Sequence, residues 1–118
     1  MPTSRIYYTY ILTNFNRSVF YTGATNDLAS RLIEHWIGKP GSFTTTYQIY
    51  YLIWWEATPY VLNAIEGEKR IKRCNRQEKA ELIASLNPDW RFMNEEILGN
   101  WPPTPIQIAD VLSRQGKF

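Results

Sequence analysis

Cysteine and histidine are almost missing from this chain: there is one of each, Cys74 and His35, in 118 residues. A lone cysteine excludes an intramolecular disulfide and a cysteine-based zinc site. A lone histidine excludes a histidine cluster as a metal ligand set. Charge is scarce too, at 20% of residues with a formal net charge of +2, too little by itself to argue for a nucleic-acid partner. No apolar run reaches transmembrane length, and the opening "MPTSRIYY" has no hydrophobic signal segment. A soluble, cytoplasmic protein with no membrane partner is therefore expected. A phosphate-binding glycine loop, a dinucleotide fingerprint and a nucleophile elbow are all absent, and no internal repeat is visible.

What the chain does have is apolar and aromatic bulk, 44% and 15% of residues, enough for one compact core. Residues 6–13 and 19–23 are rich in β-branched and aromatic side chains and flank the turn-forming "NFNRS", which predicts a hairpin. Leu28, Leu32 and Trp36 then recur at helical spacing, with Thr25 or Asn26 as cap and Gly38, Pro40 and Gly41 as the stop. "GSFTTTYQ" reads as a polar loop and "IYYLIWWE" (49–56) as a buried strand. Thr58 and Pro59 form a cap and first turn for a helix to about Lys72, and a further helix spans Arg76 to Leu86. The order β-β-α-β-α-α predicts an α/β (α+β) domain over 1–90, a small, mainly antiparallel three-stranded sheet flanked by helices. Residues 91–118 read as a Pro-containing extension in which "IQIADVLSR" forms a short helix.

Three features could carry chemistry, and each also has a plain reading. On a helical wheel, Val61, Ala64, Ile65 and Ile71 make an apolar stripe with Glu68 near its centre. A carboxylate there must be paired, hydrogen-bonded or bound to a cation, and a salt bridge would suffice. Arg31 and His35 lie one turn apart at the edge of the first helix's stripe, where they could reach a phosphate, although surface pairing such as Asp27–Arg31 is the plainer reading. Lys69, Lys72, Arg73 and Arg76 belong to a local basic patch that suits a phosphate backbone or simply a solvated helix face. Tyr10 and Tyr21, on the two hairpin strands, are packing residues or working hydroxyls.

In order and spacing, "TYI" (9–11), "YTG" (21–23), "GATNDLASRLIEH" (23–35), "FTTTY" (43–47), "LIWWE" (52–56), "AIEGEKRIK" (64–72) and "LNPDW" (86–90) resemble the small single-domain members of the GIY-YIG nuclease superfamily. The resemblance implies metal-dependent hydrolysis of phosphodiester bonds in nucleic acid, DNA ahead of RNA. By the resemblance, Glu68 binds one divalent metal ion, Mg²⁺ or Mn²⁺, and Arg31 offsets charge on the phosphoryl oxygens. Tyr10 orients the attacking water and takes its proton, with a nearby cation favouring the phenolate. Tyr21 and His35 position the phosphate or relay protons, and Asn87 stands at the edge of the site.

The chain departs from the pattern at Tyr8 and Thr9, in the glycine and isoleucine positions, and at threonines where relatives often carry lysines. Gly67 and Cys74 replace a common arginine and tryptophan. A catalytically weak or inactive nucleic-acid-binding module on the same fold is the alternative. A protein-interaction domain using the aromatic 50–55 region and the Pro-rich tail is a third reading, opposed by the better use of that region as a buried strand.

Overall fold

The computed structural model describes residues 5–115. The outermost ends of the two predicted segments, 1–4 and 116–118, lie outside the described residues. Strands β1 (Tyr7–Thr13) and β2 (Phe20–Thr25) form the expected hairpin, and β3 (Tyr51–Thr58) pairs with the other side of β1. The sheet is wholly antiparallel, in the order β2-β1-β3. Helix α1 (Leu28–Ile37) follows β2, α3 (Val61–Arg73) and α4 (Arg76–Leu86) follow β3, and α6 (Pro105–Arg114) comes last. Two short helices are added: α2 (Phe43–Thr46) occupies a segment predicted as loop, and α5 (Asn94–Leu98) lies in the predicted extension. Ser42 explains α2, since its side chain accepts from the Thr45 amide as an N-cap.

Strand alternation sends β1 into two cores. Tyr10 and Leu12 pack with Leu28 and Leu32 of α1, whereas Ile11 packs with Ile53, Ile71 and Ile83 under α3 and α4. The sheet is thus a middle layer between α1 and the α3–α4 pair. Helix α3 approaches closely because Gly67 faces Thr9, whose hydroxyl donates to the Ala64 carbonyl at 2.9 Å. The buried line of α3 is Ala64, Gly67 and Ile71, while Val61 is exposed. That rotates the predicted stripe and moves Glu68 from its centre to its edge. Pro59 stays outside the helix, and Thr58 ends β3 instead of capping α3. At α1 the cap is Asp27, accepting from the Ser30 amide, in place of Thr25 or Asn26.

The predicted extension is built into the core. Strand β3 is an edge strand whose outer polar groups need partners. The Met93 amide donates to the Leu52 carbonyl at 2.7 Å, and buried Asn94 accepts from the Leu52 amide and donates to the Tyr50 carbonyl, each at 2.8 Å. Opposite Ile11 and Leu12 the register slips, leaving Ile53 bulged. Asn87 repairs that bulge: its amide donates to the carbonyls of Ile53 at 3.0 Å and Arg91 at 2.8 Å, and its oxygen accepts from the Arg91 amide. Asn87, expected at the edge of the site, is therefore a buried structural latch. Asn87→Ala is expected to lower unfolding free energy by roughly 2–4 kcal/mol, since buried carbonyls lose their donor. A urea titration checks this, because a free surface amide would change stability by no more than about 0.5 kcal/mol. Among the described residues, no helix is long and apolar enough to cross a membrane.

Candidate active site

Register puts both hairpin tyrosines on the α1 face of the sheet. Tyr10 stands opposite Gly23 and Tyr21 opposite Leu12, so the two phenols share a side with one another. Their ring centroids lie 6.4 Å apart. Helix α1 brings His35 down on them, 6.0 Å from Tyr10 and 5.2 Å from Tyr21. The Tyr10 hydroxyl reaches His35 Nε2 at 3.1 Å, and His35 Nδ1 faces the Thr44 hydroxyl at 3.4 Å. An imidazole carrying its hydrogen on Nδ1, toward Thr44, leaves Nε2 free to accept from Tyr10.

Gly23 makes this geometry possible. A Cβ built there would lie 2.5 Å from the Tyr10 oxygen and 2.6 Å from Cζ. The glycine of "YTG" is thus required by the ring that crosses it, not by its own backbone angle.

The electrostatics differ from the sequence expectation. Tyr10 is fully buried, and burial first, then neighbouring Tyr21, push its phenol above the ordinary tyrosine range. Arg31 pulls the other way with less effect, and Glu68 and Glu34 add to the rise. A resting phenolate at Tyr10 is accordingly disfavoured. His35 moves in the opposite sense, to about 4, through burial first and the Arg31 charge second, so it is neutral at pH 7.

That shift has a stability consequence. The unfolded chain binds a proton at His35 near pH 6.5 while the folded chain resists it to about 4. Stability is therefore full above about pH 6.5 and falls with pH down to about 4, by roughly 3 kcal/mol at most. Unfolding of wild type and His35→Gln between pH 7 and pH 4 should show a steeper acid loss for the wild type.

Arg31 joins the group through its charge on Tyr10 and His35, while its Nε makes an ion pair with Glu34 Oε1 at 3.2 Å. The predicted surface partner, Asp27, binds Arg114 instead. Glu68 belongs to the helix on the other face of the sheet, yet its charge is felt at Tyr10. Its carboxylate is partly covered and pairs with Lys72 Nζ at 2.9 Å. Beside His35 lies a groove of about 560 Å³, lined by Arg31, Glu34, His35, Lys39 and Thr44 among others. Tyr10, Tyr21 and Glu68 are not in that lining.

The basic patch is only partly available. The Arg76 guanidinium donates to the carbonyls of Ser18 and Arg17 and lies over the Phe20 ring, tying α4 to the hairpin loop. Lys72 is engaged with Glu68, whereas Lys69 and Arg73 are exposed. Arg76 thus has a structural task that its position in a charge run did not reveal. Sequence reasoning also missed Thr44, within the quoted "FTTTY", and Glu34, which the three-residue spacing from Arg31 could have suggested.

A metal centre would have to be built on few ligands. Among the described residues there is no group of three or more histidine, cysteine, aspartate or glutamate side chains able to hold an ion. A single carboxylate does suit a hard cation that keeps several waters and takes further oxygens from a phosphate. Glu68 fits that description and fits a closed structural site poorly.

Comparison with known proteins matches residues 6–81 to the family described as the GIY-YIG catalytic domain. A UPF0213 protein of Cupriavidus pinatubonensis strain JMP 134 is 30% identical over 86 residues, covering 73% of this chain and 94% of that protein. The solution NMR structure of a UPF0213 protein from Bacillus halodurans superposes with a TM-score of 0.50 at 27% identity, over 76% of this chain and 95% of the other. With the family match over residues 6–81 spanning more than half its length, the chain belongs to the GIY-YIG family.

Proposed function

We propose that this protein is a metal-dependent endonuclease that hydrolyses phosphodiester bonds in nucleic acid, with DNA preferred to RNA. The observation that carries the reading is the Tyr10–His35 hydrogen bond, set beside Tyr21 and within reach of the Arg31 and Glu68 charges. Family membership supports it. Glu68 is the residue that would hold a Mg²⁺ or Mn²⁺ ion, with Lys72 giving way as the cation arrives. Such a cation supplies Lewis-acid polarisation of the phosphate and stabilises the departing oxygen.

The chain's own residues do the rest. Arg31 keeps its terminal N–H donors for the phosphoryl oxygens and balances their growing charge. Tyr21, only half-buried, holds the attacking water at the mouth of the pair. Buried Tyr10 does not act as a free phenolate. Tyr10 passes its hydroxyl proton to His35 Nε2, leaving an imidazolium, and takes the water's proton in its place, so the phenol ends the step neutral. The hydroxide oxygen bonds to phosphorus, the ester P–O bond breaks, and the leaving oxygen takes a proton from solvent. A bound phosphate favours the imidazolium, raising His35 from its low resting value.

Labelled duplex, branched and single-stranded DNA, and the RNA equivalents, incubated with Mg²⁺, Mn²⁺ or EDTA, test the proposal. Cleavage that EDTA abolishes is expected on at least one substrate, and binding without cleavage across the panel would replace the nuclease by the binding module. The pH profile gives a sharper check. The acid limb of kcat/KM, which reports the free enzyme, should fall near His35's resting value of about 4. The limb of kcat should lie higher, because the substrate's charge is then present.

A further inference from the structure

We propose that Gln115, at the end of the C-terminal helix, is a positioning residue for Arg31, acting through Glu34. The Gln115 side-chain amide donates to Glu34 Oε2 at 2.9 Å, while Glu34 Oε1 accepts from Arg31 Nε at 3.2 Å. One carboxylate thus joins a residue of the site to the end of a helix outside the 6–81 stretch matched to the family.

The chemistry of the guanidinium makes this pairing productive. Arg31 has five N–H donors, and Glu34 takes the one on Nε. The four on the terminal nitrogens stay available for an anion, with the plane of the fork fixed. On its own, a helical pair three residues apart, with side chains 40% and 34% exposed, would hold Arg31 loosely. The second oxygen's bond to Gln115, itself an exposed contact, restricts the carboxylate further and so its partner.

Helix α6 is anchored well enough to serve. Thr104 and Gln107 close a capping box at its start, Pro105 occupies its first turn, and Val111 is buried. Near its end Arg114 reaches the α1 cap residue Asp27 at 3.4 Å, while pairing with Asp110 at 3.0 Å. Arg31, Glu34 and Gln115 line both the groove beside His35 and a second cavity of about 230 Å³ under α6, so they form the partition between the two.

The inference rests on the nuclease reading for its kinetic arm only. Arg31 Nε–H can be observed by NMR and assigned by its loss in Arg31→Lys. In Gln115→Ala, its hydrogen exchange should quicken roughly 2- to 10-fold, the equivalent of one net hydrogen bond. The value of kcat should fall by a similar factor with KM unchanged, as for an interaction made in the transition state. Adding Gln115→Ala to Glu34→Ala should change neither quantity further. An Arg31 Nε–H exchange rate unchanged by Gln115→Ala overturns the positioning role, whether or not nucleic acid is cleaved. A quickened exchange in a protein whose wild type cleaves nothing leaves the positioning role standing and removes the nuclease reading.

Discussion

Replacing Glu68 with glutamine should cost roughly 10³-fold or more in metal-dependent cleavage, the equivalent of several kcal/mol of charge stabilisation. The substitution is nearly isosteric and removes only the negative charge that would hold the cation. Its effect on folding should be small. The partner, Lys72, is 55% exposed and sits one helical turn away, an arrangement worth about 0.5 kcal/mol or less. A large loss of rate beside an almost unchanged unfolding midpoint is therefore the expected pattern. Mn²⁺ gives a second readout, since it should broaden the His35 ring resonances in the wild type and spare them in the variant. Equal cleavage by both proteins would place the chemistry elsewhere or expose a contaminant.

The second large effect is expected at a residue with no functional group. Gly23→Ala should lower unfolding free energy by about 1–3 kcal/mol, because its Cβ enters space held by a buried ring. The contact would be 2.5 Å to the Tyr10 oxygen and 2.6 Å to Cζ, and Tyr10 is packed too completely to move freely. For a chain of this size the melting temperature should drop by roughly 4–12 °C. The displaced phenol loses its hydrogen bond to His35, so activity should fall by about 10²-fold, the lower range for losing a positioned proton acceptor. In a Tyr10→Leu background the ring is gone, and the added methyl should cost much less stability. The same penalty in both backgrounds would show that Tyr10 is not what Gly23 accommodates.

Much of the fold could be read directly. The β-branched and aromatic run at 6–13, the turn chemistry of "NFNRS" and the 3.6-period Leu28, Leu32 and Trp36 are local signals, and the corresponding elements form. Helix α2 escaped notice because four residues carry no periodicity, only the Ser42 cap. How the stretch after Leu86 meets the sheet was not legible, for a different reason. Asn94 and Asn87 look like ordinary turn residues until the edge of β3 and its bulge supply carbonyls for them.

Which of the candidate side chains come together was partly legible, and their protonation and partners were not. Tyr10 and Tyr21 face one side because strand parity and register put them there, and Arg31 and His35 share a helix. The order of motifs pointed to Glu68, which the wheel alone could equally have assigned to a salt bridge. In the structure it makes one, with Lys72.

By itself the sequence determined the hairpin, the main helices and the family, and excluded disulfide, histidine-cluster and cysteine-zinc chemistry. These depend on residue type and on neighbours within a few positions. Only the tertiary structure decided that Tyr10 is buried and holds its proton, that His35 is neutral with Nε2 turned to it, and that Arg76 is engaged at the hairpin loop. It also decided that Glu34 joins Arg31 to Gln115, 81 residues farther along the chain. Protonation and side-chain orientation follow desolvation and nearby charge, and those are fixed by which distant segments the packing brings together.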